Sequence, residues 1–317
     1  MAISRSSIIR GPAIVRMGSQ SFYSKGDITV DITPETFDIV SSTGGKLSER
    51  TSDVVARITF TPVGAWTANQ LTVLYPYTNP TIGGSVFGSS DTSVQVWPID
   101  GTERFTFACG AITKMPSLIM TPAETLMGEV EITCIIANNQ ERSTAGSLYT
   151  YSATAAFTAA PNDERNFALS DVLTVPYTAT FSGPAGWTSQ IESTGGFSID
   201  FDLQTTPIMA ANIGTVDHII SGLDITCTFQ PLNFTAKQLM DRLAVDGNAL
   251  GKDISSAAGN LTITGGSAST PKVVLNNLRL RSAPMLYSLE NLRSDDIEFF
   301  STRPTGAGTM FTVGFGP

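Results

Sequence analysis

Apolar and polar residues alternate in short runs along most of the chain. The first set of runs covers residues 28–32, 56–60, 93–97, 105–108 and 130–134, and a second set covers 197–203, 224–229, 261–264, 272–280 and 297–301. Val, Ile, Thr and Phe are frequent in these runs, and Gly, Pro, Ser and Asn are frequent between them. A period of two with these residue types is typical of antiparallel strands that bury one face. The pattern therefore predicts a mainly β protein.

The two sets of runs are copies of one sequence pattern. The segment WTANQL at 66–71 matches FTAKQL at 234–239 with an offset of 168 residues, and PSL at 116–118 matches PML at 284–286 with the same offset. VDI at 30–32 matches IDF at 199–201, and TFTP at 59–62 matches TFQP at 228–231, both with an offset of 169. In-register matches of this kind indicate a tandem duplication. We predict two β-sandwich or β-barrel domains, at residues 1–165 and 166–317.

Each repeat carries the signals of one short flanking α-helix. Thr and Gln stand three residues apart, as in a capping box, and an aromatic residue before the cap can form a hydrophobic staple with a Leu at the fourth helical position. These residues are Trp66, Thr67, Gln70 and Leu71 in the first repeat and Phe234, Thr235, Gln238 and Leu239 in the second. We assign them a structural role.

Composition and charge exclude several classes of function. The 317 residues include 19 Lys and Arg against 28 Asp and Glu, which gives a net charge of −9. An acidic surface repels a phosphate backbone, so stable nucleic-acid binding is not expected. Residues 1–19 contain no apolar run of the kind found in a signal peptide, and the uncharged segment 143–162 is rich in Ser, Thr and Ala rather than Leu and Ile. We therefore expect neither secretory export nor membrane insertion.

The sequence is poor in residues that perform chemistry. It has one histidine, His218, and three cysteines without C-x-x-C spacing. The paired carboxylates at 200 and 202 and at 295 and 296 lack the spacing of a calcium loop, and the Gly-rich segments 43–46 and 265–267 lack that of a phosphate-binding loop. We predict that the protein is not an enzyme and has no catalytic residue, cofactor or metal.

One part of the chain resembles a known family. The segments GAITKMPSL at 110–118 and LMGEVEIT at 126–133, together with the duplicated β pattern, resemble the major tail tube proteins of long-tailed, siphovirus-like bacteriophages. The resemblance implies a small β domain that assembles into six-membered rings, which stack into a tube for genome passage. Two domains in one chain then imply a trimer with pseudo-sixfold symmetry. An acidic channel would let DNA pass without holding it.

The resemblance also implies partners, a location and contact residues. The partners are further copies of the chain, other tail proteins and DNA in transit, and the location is the virion, after synthesis and assembly in the host cytoplasm. The family stacks its rings through a long hairpin, and the polar segments 41–50 and 204–215 are longer than ordinary hairpin loops. The expected inter-ring contacts are Gly44, Gly45, Lys46, Leu47, Glu49, Arg50, Ile208 and Met209. Leu47 and Ile208 or Met209 would be apolar anchors, and Lys46, Glu49 and Arg50 would form ion pairs between rings.

Two other classes remain open at this stage. One is a tail-tip or tail-terminator relative, or another structural protein of the virion such as a duplicated capsid component. The other is a tandem β-sandwich module that binds carbohydrate or acts as an adhesin. The second class predicts exposed aromatic residues and Asp or Asn clusters at equivalent loops of both repeats, and the sequence does not repeat such features.

Overall fold

The computed structural model of the chain describes residues 13–63, 66–87, 92–98, 103–121, 125–136, 148–153, 177–182, 190–193, 195–210, 214–232, 259–265, 270–287, 292–294, 296–301 and 308–316. Within these ranges the protein is mainly β, with two large antiparallel sheets and one short helix, which confirms the predicted fold class. The predicted domain boundary lies within residues 154–176, outside the described residues.

The elements in chain order are β1 (Ala13–Met17), β2 (Gln20–Ser24), β3 (Thr29–Ser41), β4 (Gly45–Phe60), β5 (Pro62–Val63), α1 (Ala68–Leu74), β6 (Thr92–Pro98), β7 (Arg104–Lys114), β8 (Leu118–Met120), β9 (Thr125–Met127), β10 (Val130–Ile135), β11 (Tyr149–Ser152), β12 (Thr178–Ser182), β13 (Gln190–Ile191), β14 (Phe197–Ala210), β15 (Gly214–Phe229), β16 (Gly259–Thr264), β17 (Pro271–Ser282), β18 (Met285–Tyr287), β19 (Leu292–Ser294), β20 (Ile297–Ser301) and β21 (Phe311–Phe315).

The two large sheets have the same strand order. The first runs β3-β4-β10-β7-β6-β1-β2-β5, and β11 also pairs with β7. The second contains β14-β15-β20-β17-β16-β12-β13 in the corresponding positions, and β21 pairs with β17. The register is also kept, since Val30 lies opposite Ile58 and Ile199 lies opposite Cys227, both shifted by 169 residues. The sequence repeat thus corresponds to a repeated sheet topology.

The strands bury one face, as their alternation requires. In β10, Val130, Ile132 and Cys134 are buried and face the core, and in β14 the buried positions are Phe197, Ile199, Phe201 and Leu203. The buried side chains of both sheets belong to one continuous hydrophobic cluster. Aromatic rings fill much of its second half, where Phe229 lies 4.9 Å from Phe197 and 5.8 Å from Phe299 between ring centroids. The two repeats therefore share a single core.

Helix α1 begins with the predicted capping box. The Thr67 hydroxyl accepts a hydrogen bond from the Gln70 backbone N–H (3.2 Å), and Gln70 Oε1 accepts one from the Thr67 N–H (2.8 Å). Trp66, Leu71 and Leu74 are buried, which is consistent with a staple and a core-facing side. The predicted second helix, with Phe234, Thr235, Gln238 and Leu239, lies outside the described residues.

Replacing Thr67 with Ala should lower the free energy of unfolding by about 0.5–2 kcal/mol, because the first turn loses a side-chain acceptor. Urea melts of the unassembled protein measure this loss. Thr72→Ala is the matched control, because its hydroxyl only donates back to the Ala68 carbonyl within the helix (2.9 Å), and it should be neutral or slightly stabilising. Equal effects of the two substitutions would contradict the capping role.

The long polar segments 41–50 and 204–215 belong to two extended hairpins, in which the strands pair almost up to the turn. We call residues 35–51 the first arm and residues 204–220 the second arm, of which 211–213 are outside the described residues. Pairing in the first arm continues to Ser41 opposite Gly45, and in the second arm to Ala210 opposite Gly214. The first arm turns through residues 42–44, where the Ser41 hydroxyl accepts from two backbone N–H groups. Most residues of the first arm are exposed, whereas residues 214–220 of the second arm are buried or half-buried.

Candidate assembly surfaces

The tip of the first arm combines exposed apolar residues with an internal ion pair. Leu47 is 64% exposed, and Phe37 and Val40 are also exposed. Lys46 Nζ lies 2.8 Å from Asp38 Oδ1 and also pairs with Glu49. Because both carboxylates belong to the same arm, the charge of Lys46 is balanced within the chain. The apolar group is therefore the more available contact.

The other predicted contact residues fall at distinct places on the two arms. Gly44 and Gly45 lie at the turn, where Gly45 has the positive φ of 69° that favours glycine, and Arg50 lies opposite Phe37 in the ladder. On the second arm Ile208 and Met209 are exposed. The tip of the second arm lies against Asp53, eight residues from Gly45, which is about 25 Å along an extended strand. The structure therefore does not bring the two tips together within one chain.

Asp53 joins the second arm to β4. Its side chain is buried, and Oδ1 accepts hydrogen bonds from the backbone N–H groups of Thr215 (2.9 Å) and Val54 (2.8 Å), while Oδ2 accepts from the Thr215 hydroxyl. Gly214 has a φ of 85°, and a Cβ at this position would lie 2.2 Å from Asp53 Oδ1. Sequence reasoning missed this joint, because nothing in the alternation distinguishes Asp53 from an exposed carboxylate.

The segment after α1 adds a second joint to the same arm. The backbone of Gly83 and Gly84 forms hydrogen bonds of 2.8 and 3.0 Å with Ile220, and the Val86 N–H donates to the His218 carbonyl (2.8 Å). The His218 ring packs near Phe87, and its Nδ1 lies 3.3 Å from the Thr205 hydroxyl. Burial lowers the pKa of His218. Its described contacts are those of a half-buried histidine packed between the second arm and the segment after α1.

The hairpin β8–β9 belongs to the first repeat in sequence but to the second sheet in space. Strand β8 pairs with β14, with Met120 opposite Phe197 and Leu118 opposite Ile199. The approach is close at Gly196, where a Cβ would lie 2.2 Å from the Met120 carbonyl oxygen. The sequence match at 116–118 placed this segment in the first domain and did not predict the exchange.

Tyr75, just after α1, completes the contact between the repeats. Its ring centroid is 5.1 Å from that of Phe201 and 6.2 Å from that of Phe311. Its hydroxyl donates to the Pro116 carbonyl (3.1 Å), and burial raises the pKa of Tyr75. The first repeat thus covers the edge and the apolar margin of the second.

The faces of the sheets that point away from the core carry charged residues of both signs. In the first sheet these are Asp31 and Glu131 with Arg16, Arg57, Arg104 and Lys114, and in the second sheet they are Asp200, Asp202, Asp224 and Glu298 with Lys272, Arg279 and Arg281. A groove of about 560 Å³ is lined by Glu131 of β10 and Glu129 just before this strand, and by Asp200 and Asp202 of β14. Lys114 pairs with Glu129 at 3.1 Å. Carboxylates of both sheets therefore border one groove.

Among the described residues, no group of three or more His, Cys, Asp and Glu side chains is arranged to hold a metal ion. None of the three cysteines forms a disulfide, all are buried, and burial raises the pKa of Cys134 and Cys227. In the same part of the chain, no helix has the length and apolar character needed to span a bilayer.

No protein-family model matches the chain, and the comparison with curated proteins found no significantly similar sequence.

Proposed function

We propose that the protein is the structural subunit of a bacteriophage tail tube. In this proposal three chains form a ring with pseudo-sixfold symmetry, rings stack into a tube, and the polar faces of the sheets line the channel through which the genome passes. Its partners are further copies of itself, other tail proteins and DNA in transit, and its place is the virion.

One observation carries the proposal: two sheets of the same topology lie in one chain, and carboxylates of both sheets border a common groove. A ring needs repeated units that present the same face inward, and a duplicated chain supplies two of them. The carboxylates at this groove and the net charge of −9 fit a conduit for DNA, because a basic wall would bind the phosphates through release of counterions, whereas carboxylates repel them. The resemblance of 110–118 and 126–133 to tail tube proteins points to the same function.

The two arms supply a means of stacking. Each is a two-stranded ribbon with exposed apolar residues, at Leu47 in the first arm, which is largely exposed, and at Ile208 and Met209 on the strand of the second arm that faces away from its joints with the first repeat. Exposed apolar side chains at the ends of ribbons are costly to leave in water and gain stability when a neighbouring molecule covers them. In the proposal these side chains are covered by the adjacent ring.

Negative-stain electron microscopy of the purified full-length chain tests this function. We expect rings and tubes with an open centre, and light scattering should give a ring mass of about 101 kDa, three times the 33.6 kDa chain. The salt concentration should be varied, because like-charged chains assemble more readily when they are screened. Monomers that stay dispersed at all concentrations and bind immobilised glycans would contradict the tube and favour the carbohydrate-binding module.

A further inference from the structure

The two repeats differ in how their edge strands are completed. In the second sheet, β8 pairs with the outer edge of β14. In the first sheet, β3 occupies the position of β14, and no described strand pairs with its outer edge. The second repeat contains a counterpart of the hairpin β8–β9, namely β18–β19, and this hairpin pairs with no other described strand. The outer edge of β3 and the hairpin β18–β19 thus correspond to β14 and β8–β9, which pair with each other in the same chain.

The apolar face beside this edge is also less covered in the first repeat. Phe197, Ile199 and Phe201 of β14 are all at most 4% exposed. Their counterparts at an offset of 169 residues, Ile28, Val30 and Ile32, are only partly buried. Ile28, Val30 and Ile32 are therefore apolar like their counterparts in β14, although a single chain buries them only in part.

A pair of aromatic residues extends the uncovered surface. Tyr149 lies opposite Phe107 in the first sheet, just as Phe311 lies opposite Leu275 in the second. Phe107 and Leu275 are equivalent positions, because they are 168 residues apart. Phe311 is fully buried under Tyr75, whereas Tyr149 is 39% exposed and Tyr151 is 50% exposed. The side of the first repeat that matches the covered side of the second therefore displays aromatic rings.

We propose that a neighbouring copy of the chain completes this edge: its hairpin β18–β19 adds antiparallel to the outer edge of β3, as β8–β9 adds to β14. The repeat sets the register. Ser198 lies opposite Ile119 within the chain, so Thr29 lies opposite Tyr287 of the neighbouring copy and Val30 lies opposite Leu286. Edge strands with free backbone groups are templates for such strand addition.

A difference between the repeats at the end of the hairpin supports the fit. Gly196, which allows the close approach of Met120, is replaced by Asp27 in the first repeat. The hairpin of the second repeat is shorter by two residues, because Leu118 pairs with Met127 whereas its counterpart Leu286 pairs with Arg293. In the proposed pairing the described strand of the hairpin ends at Tyr287, opposite Thr29 and two residues from Asp27. The loss of the glycine and the shortening of the hairpin are therefore compatible changes.

The contact joins unlike surfaces, the second repeat of one chain to the first repeat of the next. Such a head-to-tail contact builds a ring if its rotation closes and an open helix if it does not. The strand addition itself rests on the internal repeat, and only its closure at three chains rests on the proposed tail tube function.

A cysteine pair tests the register. Thr29→Cys with Tyr287→Cys places two thiols on directly opposed residues, whose Cα separation of about 4.5–5.5 Å suits a disulfide. Oxidation should give covalent dimers and trimers on non-reducing gels, all of which return to monomer on reduction. The native cysteines are buried, and burial raises the pKa of Cys134 and Cys227, so these thiols should contribute little background.

Two further pairs act as controls. Ile119→Cys with Ser198→Cys is the equivalent pair within one chain and should form an internal disulfide at monomer size. Thr29→Cys with Arg293→Cys puts the second thiol on the outer strand of the hairpin, about 10 Å away, which is too far for a bridge. Val30→Cys with Leu286→Cys repeats the test at the next opposed pair, in case the loss of Tyr287 disturbs the hairpin.

The outcomes separate this inference from the proposed function. Failure of both intermolecular pairs to cross-link, while the internal control forms, would overturn the strand addition, even if microscopy shows tubes. An internal disulfide between positions 29 and 287 would also overturn it, since the chain would then cover its own edge. Intermolecular cross-links without any tubes would support the strand addition and contradict the tail tube. Covalent products larger than three chains would support the strand addition and contradict the trimer.

Discussion

Deleting residues 42–48 should abolish long tubes while leaving a folded protein that still forms rings. The deletion removes the turn and Leu47 from the first arm but keeps the ladder from Thr29 opposite Thr59 to Asp38 opposite Glu49. Full burial of one Leu side chain contributes about 1.5–3 kcal/mol, and every chain in a ring would lose this contribution. Circular dichroism should remain that of the parent protein, and electron microscopy should show short stacks or single rings.

A milder variant separates the apolar contact from the shape of the arm. Val40→Ser with Leu47→Ser keeps the turn and the salt bridges of Lys46 but removes two exposed apolar side chains, and it should shorten the tubes strongly. Thr43→Ala, at the same tip, should leave tube length unchanged. Tubes of normal length from the deletion variant would exclude the first arm as the stacking element. Loss of rings together with tubes would assign the arm to contacts within a ring.

The strands and the helix that the sequence predicted are those determined by residues close together in the chain. Alternation predicts β3, β4, β7 and β10 because each of these strands places polar side chains on one face of the sheet and apolar side chains on the other. The capping box predicts the start of α1 because Thr67 and Gln70 are three residues apart. The duplication could be inferred because both repeats must keep the same pattern to form the same sheet. All of this information lies within a few residues of each element, or in a comparison of the chain with itself.

The joints between the repeats could not be predicted in the same way. The pairing of β8 with β14 depends on where a hairpin lies relative to residues nearly 80 positions later, and the match at 116–118 is equally compatible with pairing inside its own repeat. Asp53 contacts Thr215, which lies 162 residues later in the chain. The residues on either side of Asp53, Ser52 and Val54, do not indicate in the sequence that its carboxylate is buried. The sequence does not define the strands of the first arm, because polar residues on both of its exposed faces interrupt the alternation that marks a half-buried strand. The contacts between repeats follow from tertiary packing, and the candidate assembly surfaces depend on them.

The joint at Asp53 is not repeated at the equivalent positions of the two repeats. The counterpart of Asp53 in the second repeat is Gly222, and the counterpart of Thr215 in the first is Lys46. Gly222 has no carboxylate that could accept hydrogen bonds. The Asp53 joint is therefore particular to the junction between the two repeats of one chain.

Replacing Asp53 with Ala should lower the free energy of unfolding by about 2–4 kcal/mol, because Thr215 loses the acceptor for its buried N–H and hydroxyl. The second arm should also detach from β4, so amide hydrogen exchange should increase in residues 214–220 more than in β10. Urea melts and hydrogen exchange of the unassembled chain measure both effects. Asp38→Ala is the matched control, since Asp38 lies on the same hairpin but is about half exposed and pairs with Lys46 at the surface; it should cost at most about 1 kcal/mol.

Gly214→Ala tests the same joint from the opposite side. Its positive φ disfavours any Cβ, and the added atom would meet Asp53 Oδ1 at 2.2 Å, so the second arm must shift away from β4. Because both substitutions break one contact, the double variant should be less destabilised than the sum of the two single variants. Full additivity, or an Asp53→Ala protein as stable as the Asp38→Ala protein, would mean that the buried carboxylate does not hold the two repeats together.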